Sequence, residues 1–142
     1  MKVLLISGNR EASPEPPYPL GCAYLVTALT DSGHVVTGLD LLFEKDPHQA
    51  IEASVRETDP DVVGLSMRNL DLLTFPEHRS EVPEYRGYVD LLRTLTDAPV
   101  VMGGPGFSLV ADTCLAAVGA DVGVAGEGEV AFPALLNKIR LE

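Results

Sequence analysis

The densest group of residues able to cradle a ligand is Gly103-Gly104-Pro105-Gly106-Phe107-Ser108, directly behind a β-branched run. Glycines behind a strand let a ligand approach the backbone closely, and a helix opening there supplies unpaired N–H donors. A tight strand-to-helix turn would use the same residues. The segment is no Walker loop, because no Gly-Lys-Ser/Thr follows, and it lacks the Gly-x-Gly-x-x-Gly dinucleotide spacing. Ser66-Met67-Arg68-Asn69-Leu70-Asp71 brings polar side chains and an arginine to the end of another apolar run. A solvated loop entry with an Arg68–Asp71 pair is the plain alternative, worth little on a surface. Gly126-Glu127-Gly128-Glu129 precedes the last helical stretch, where acidic residues also suit the helix dipole.

Nucleophilic and metal chemistry find little support. Cys22 and Cys114 are isolated on apolar stretches, with no Cys-His arrangement nearby. His34 follows Gly33 ahead of a strand and falls at the edge opposite the glycine-rich loops. His48 and His78 lie nearer those loops, without a second ligand at metal spacing, and read as solvated loop residues. A phosphorylatable receiver domain would want an acidic pair after its first strand and an aspartate after its third. Ser7-Gly8-Asn9 and Ser66 stand there instead. No residue is therefore assigned a catalytic or metal-ligating role.

The elements that must position these residues follow from apolar patterning. Strands are expected at residues 3–7, 35–39, 61–66, 100–102 and 122–125. Helices are expected at 19–31, 47–57, 83–95, 109–118 and a last one ending near Arg140. Leu20, Tyr24 and Ala28, with Leu25 and Leu29, form the expected apolar stripe of the first helix, and Gly33 its left-handed cap. Ser108 is the expected N-cap of the fourth helix. Pro133 must fall in the first turn of the last, since an interior proline breaks a helix. Strands alternating with helices give an α/β fold, a three-layer αβα Rossmann-like (flavodoxin-like) domain. The expected five-stranded parallel sheet has the order 2-1-3-4-5. Ligands of such sheets bind beyond the carboxyl ends of the strands. Four loops converge there, at residues 8–18, 67–80, 103–108 and 126–129. They make a large, mostly neutral surface of backbone amides and a few polar side chains.

The chain has 142 residues and a formal net charge of −11, which speaks against nucleic acid or an anionic membrane as partner. No apolar run reaches the roughly 18 residues of a membrane span. Two cysteines give no disulfide framework, so a reducing, cytoplasmic setting is expected. One domain over residues 1–140 is expected, with 141–142 a possible vector remnant.

Four pieces, in order along nearly the whole chain, carry a family resemblance. They are Pro16-Pro17-Tyr18-Pro19-Leu20-Gly21-Cys22-Ala23-Tyr24-Leu25 with Gly33-His34 and Asp40, then Val63-Gly64-Leu65-Ser66-Met67-Arg68-Asn69-Leu70-Asp71. Val101-Met102-Gly103-Gly104-Pro105-Gly106-Phe107-Ser108 follows, then Gly119-Ala120-Asp121 with Gly126-Glu127-Gly128-Glu129. The set resembles the N-terminal cobalamin-binding domain of the cobalamin-dependent radical S-adenosylmethionine enzymes. The resemblance implies a corrin held over the strand ends and a dimethylbenzimidazole tail swung away from cobalt and buried beside the sheet. It implies that the turn from Gly103 through Gly104, Pro105, Gly106 and Phe107 to Ser108 flanks the tail. Ser66, Met67, Arg68 and Asn69 would meet corrin amides or the nucleotide loop. Gly8, Asn9 and Tyr18 would come from the first loop, and Glu127 and Gly128 from the last.

Two departures qualify what is implied. Cobalamin-dependent mutases and methionine synthase carry an Asp-x-His-x-x-Gly motif whose histidine ligates cobalt. Here the stretch is Asp40-Leu41-Leu42-Phe43-Glu44-Lys45. A base-off, histidine-off cobalamin is the expectation. Radical chemistry needs a Cys-x-x-x-Cys-x-x-Cys set to hold a 4Fe–4S cluster, which two isolated cysteines cannot form. The chain reads as the cobalamin module of a larger protein for methyl transfer or rearrangement. That parent would add the cluster, S-adenosylmethionine and a radical barrel domain as partner. A cofactor-free scaffold domain and a stand-alone flavodoxin-like enzyme are the alternatives.

Overall fold

Short apolar runs, each followed by a helix-forming stretch, fold into alternating strands and helices. The computed structural model describes residues 1–72 and 78–140. In chain order the elements are β1 (Lys2–Ser7), α1 (Leu20–Asp31), β2 (Val35–Asp40), α2 (Pro47–Thr58), β3 (Val62–Ser66), β4 (Asp71–Leu72) and β5 (Arg79–Ser80). There follow α3 (Val82–Leu95), β6 (Val100–Gly103), α4 (Pro105–Ser108), α5 (Ala111–Val118), β7 (Val122–Gly123) and α6 (Gly128–Ile139). The main sheet is parallel throughout, in the order β2-β1-β3-β6-β7. With β4 and β5 set aside, this is the expected 2-1-3-4-5 arrangement.

The central strands β1, β3 and β6 feed both faces of the sheet. On one face Leu4, Ile6, Val63, Leu65 and Met102 meet Ile51 of α2 and Tyr85, Tyr88 and Leu92 of α3. On the other, Val3, Leu5, Val62 and Val101 meet Leu29 of α1 and Phe132 and Leu136 of α6. Local chemistry sets the element ends. Asp46 caps α2 by accepting from the N–H groups of His48 (3.0 Å) and Gln49 (3.1 Å), with Pro47 at the first helical position. Gly33, at φ +84°, turns the chain out of α1 as expected. Asp121 accepts from the Val100 N–H (2.8 Å) and from Arg93 (3.0 Å), fastening β6 to the start of β7 and to α3.

Four local expectations are corrected. Leu20 and Tyr24 are 56% and 57% exposed, and α1 instead turns Cys22, Leu25, Val26 and Leu29 inward. The helix opens Leu-Gly-Cys-Ala-Tyr-Leu-Val, apolar on nearly every side, so its periodicity marks no single face. Ser108 is no N-cap. Pro105 starts a helical turn directly behind Gly104, and the chain restarts as α5 after Val110. Pro133 lies inside α6 and not in its first turn. It forgoes one bond to the Glu129 carbonyl, and its buried ring compensates by packing. The loop after β3 carries an antiparallel ladder of its own, β4 against β5.

Glu81 anchors that ladder to the domain. Its N–H donates to the Leu70 carbonyl (2.9 Å), and its buried carboxylate meets Arg79 at 3.2 Å. Burial, then the neighbouring Glu84, pushes this carboxyl above its ordinary value of 4.5. The native state thus keeps a proton that the unfolded chain has lost. Its contribution to stability is full below pH 4.5 and is lost as pH rises through the raised value. Urea melts across that window are expected to show Glu81→Gln losing less stability with rising pH than the parent chain. Equal slopes would contradict the assignment. For the core, Leu4→Ala is expected to cost about 2–5 kcal/mol in the same melts, because Leu4 is fully buried in the sheet centre.

Candidate functional site: a cleft at the carboxyl edge of the sheet

The site begins with two loops that touch backbone to backbone. Gly104 has φ +103°, and a Cβ there would lie 2.5 Å from the Met67 carbonyl oxygen. A Cβ on Gly106 would lie 2.6 Å from the carbonyl carbon of Asn69. Only glycine permits either approach. The Met67 N–H donates to Gly103 O (2.8 Å), and the Gly106 N–H donates back to Met67 O (3.0 Å). Two of the turn's glycines therefore serve chain packing, the plain alternative raised for this turn. The Ser66 carbonyl accepts from the Gly8 N–H (3.1 Å) and from the Tyr85 hydroxyl (3.2 Å). Burial holds that hydroxyl far above its ordinary range, so it stays a donor.

Beside this junction a cleft of about 360 Å³ opens between α1 and α6. Its floor is formed by Leu5, Gly64 and Val101 of the sheet, with Leu25 and Phe132 on the helices facing it. A Cβ on Gly64 would press on Leu5 (2.9 Å) and Phe132 (3.0 Å), and one on Gly128 would press on Leu25 (2.9 Å). A Cβ on Gly21 or Gly126 would meet nothing within 4 Å, so both leave free space at the wall. The polar side chains lining the cleft are Ser66, Ser108, Glu127 and Glu129, carried on loops and on the first turn of α6. The Ser108 hydroxyl donates to Gly104 O (2.8 Å) and accepts from the Gly126 N–H (3.0 Å). It ties the loop after β6 to the loop after β7.

The structure brings Ser66, Gly103, Gly104, Pro105, Ser108, Glu127 and Gly128 together around the cleft. The other sequence-predicted residues lie elsewhere. Met67 is fully buried against Cys114 (3.8 Å between sulfurs), and Phe107 fills the space beside Gly123. Both side chains belong to the core on the α2–α3–α5 face. Gly106 is buried in the loop junction, and Gly8 sits against the Tyr85 ring. Asn9 is buried and spends its amide on the backbone of Glu11. Arg68 and Tyr18 are exposed and Asn69 half-buried, none of them lining the cleft. Sequence reasoning missed Gly21, Leu25, Gly64 and Phe132, and had Gly126 only as part of the last loop. Gly64 was a signal, because a glycine inside a strand marks a close approach.

The turn after β2 is closed on itself. Asp40 accepts from the Leu42 N–H (3.1 Å), capping a single 3-10 turn at Leu41–Phe43. Arg10 donates to the carbonyls of Leu41 and Glu44. Position 42 offers no nitrogen ligand. His48 is exposed as expected, but it sits in the first turn of α2 with its ring edge-on to Tyr88 at 5.8 Å. His78 is exposed, and His34 is buried at the opposite edge. Burial pushes the Cys22 thiol up, keeping it neutral beside Ser66. Among the described residues no group of three or more His, Cys, Asp and Glu is placed to hold a metal. Among them also, no helix is long and apolar enough to cross a membrane.

Known proteins share this fold. The tryptophan 2-C-methyltransferase of Streptomyces laurentii is 39% identical over 128 residues, 89% of this chain and 21% of that protein. The radical S-adenosylmethionine methyltransferase TsrM from Kitasatospora setae, solved with cobalamin and a 4Fe–4S cluster bound, superposes with a TM-score of 0.90. It is 37% identical over 98% of this chain and 24% of that one. The cobalamin-dependent S-adenosylmethionine radical enzyme OxsB, with aqua-cobalamin bound, shares the fold at a TM-score of 0.78 and 17% identity, over 99% of this chain and 19% of that one. The chain spans a quarter or less of these proteins. The model of the B12 binding domain matches residues 7–136, and the chain belongs to that family.

Proposed function

We propose that this chain is the cobalamin-carrying module of a cobalamin-dependent radical S-adenosylmethionine methyltransferase, and that it holds the cofactor base-off without a protein nitrogen on cobalt. The cleft between α1 and α6 carries the reading. Its 360 Å³ lies at the lower end of the range of small-molecule pockets, roughly 300–1,000 Å³. That is too small for a corrin macrocycle and ample for one bicyclic aromatic base. An apolar floor suits the dimethylbenzimidazole tail, and a rim of hydroxyls and backbone amides suits the polar nucleotide loop behind it. Space that a Cβ at Gly21 or Gly126 would occupy is the cradle this fit requires.

In this reading Ser66, Ser108 and the backbone of Gly103 and Gly104 flank the tail at the mouth. Arg68, Asn69 and Tyr18 stand on the surrounding edge, where neutral corrin amides would lie. In the register of the Asp-x-His-x-x-Gly motif Leu42, in the capped turn at Leu41–Phe43, takes the histidine's place, which supports a cobalt that would have no histidine ligand from this turn. Bound cobalamin supplies a cobalt able to carry a methyl group. The residues of this chain bind and orient it. The 4Fe–4S cluster and S-adenosylmethionine belong to parts of the parent outside this sequence, since Cys22 and Cys114 are separate thiols. The substrate belongs there too.

Titration of the purified chain with hydroxocobalamin, followed by calorimetry and visible absorption, is expected to give one-to-one binding with a base-off spectrum. Absence of saturable binding overturns the reading, and a nitrogen-ligated spectrum overturns its base-off part. Gly21→Leu fills open space on a helix and improves helix propensity. It is expected to weaken binding at least tenfold while the urea midpoint holds or rises. Unchanged affinity would remove the tail from this cleft.

A further inference from the structure

The cleft also sets which corrinoids the domain accepts, an inference that rests on the reading above. Natural corrinoids differ in the base on the nucleotide tail, and the floor that would receive it is chemically one-sided. Leu5, Leu25, Val101 and Phe132 face this space, and Gly64 lets Phe132 close onto the sheet. The strand backbone beneath is committed to the ladder, with Leu5 between Gly38 and Gly64, and Gly64 beside Val101. The polar side chains lining it, Ser66, Ser108, Glu127 and Glu129, come from the end of β3, the end of α4 and the start of α6, and the Ser108 hydroxyl already has both a donor and an acceptor as partners.

We infer that this cleft is a filter for the lower base: it takes an apolar benzimidazole and rejects a purine. The two methyl groups and fused ring of dimethylbenzimidazole lose water and gain apolar contact on this floor. Adenine brings an exocyclic amino group and extra ring nitrogens that water satisfies in solution. The floor has no side-chain partner for them. A buried polar group left unpaired weakens binding roughly ten- to a hundredfold. Leu25 and Phe132 are the specificity-determining residues, since they form the wall and floor where those edges would lie.

The test compares three corrinoids on the same purified chain by calorimetry. They are hydroxocobalamin, the analogue with adenine in place of dimethylbenzimidazole, and cobinamide, which lacks the nucleotide tail. Cobalamin is expected to bind tightest, and the other two at least tenfold more weakly. Leu25→Gln, which adds an amide to the wall, is expected to narrow the gap between cobalamin and the adenine analogue. Its urea midpoint reports whether the fold survives, and the comparison on the unaltered chain stands without it. An adenine analogue that binds as tightly as cobalamin overturns the filter, and so does cobinamide binding equally well. Both results leave cobalamin binding intact. A chain that binds none of the three overturns the functional reading and the filter together.

Discussion

The close docking of the turn after β6 onto the segment after β3 is the constraint on which the carboxyl edge depends. Met67 lies at its centre. Its N–H and carbonyl bond to Gly103 and Gly106, and its side chain is locked in the core beside Cys114. The glycines at 104 and 106 bring the two backbones closer than any side chain would permit. From this junction three consequences spread. Ser66 is fixed with its carbonyl held by Gly8 and Tyr85. Ser108 is aimed at the next loop, where it holds Gly126. Gly103 and Gly104, held in the junction, line the cleft beside it.

The two faces of the sheet are built differently. Beneath α2, α3 and α5 lie two tyrosines, Met67, Met102 and Phe107, all essentially buried. That face is filled. Between α1 and α6 the lining includes Gly21, Gly64, Gly126 and Gly128, and a cleft stays open there. Protein interiors close-pack, and at Gly64 and Gly128 the missing side chains let Phe132 and Leu25 close in, whereas at Gly21 and Gly126 nothing takes the space. Phe132 and Leu25 then bound a cleft where a uniformly packed sandwich would have none.

Much of the fold was legible from sequence because its signals are local. Apolar runs of strand length, Gly33 behind a helix and Pro47 behind Asp46 each act within a few residues. The strand order followed from alternation together with right-handed crossovers. Part of the site was legible as well, because the loops at strand ends are where such sheets bind ligands. What escaped depends on tertiary contact. The inward face of α1 could not be read where apolar residues occur on every side. Pro133 inside α6 is tolerated because the helix is held by packing, which propensity does not report. Gly21 and Gly64 lie far apart in sequence, and only the fold makes them walls of one space with the expected Gly128. The glycines at 103–106 attracted attention for the opposite reason. They are adjacent in sequence, yet two of them serve the chain's packing against itself.

Charge and shape make different demands here, and shape decides. The chain carries eleven net negative charges, with Glu127 and Glu129 at the cleft itself. An anionic ligand would meet repulsion at that edge unless cations gathered there. The arginines nearby are in part committed elsewhere. Arg10 is spent on the carbonyls of the turn after β2, and Arg79 on Glu81. On the proposed reading the amide-edged corrin meets no such penalty, and the one phosphodiester of the nucleotide tail would rest on the hydroxyls and backbone N–H groups of the rim. The turn after β2 follows the same rule. Asp40, a charged residue at the site edge, is turned inward to cap Leu42 and fixes the backbone. On the proposed reading, the domain spends its ionised groups on holding its loops still. Recognition falls to glycine-lined space, an apolar floor and the dipoles of the backbone.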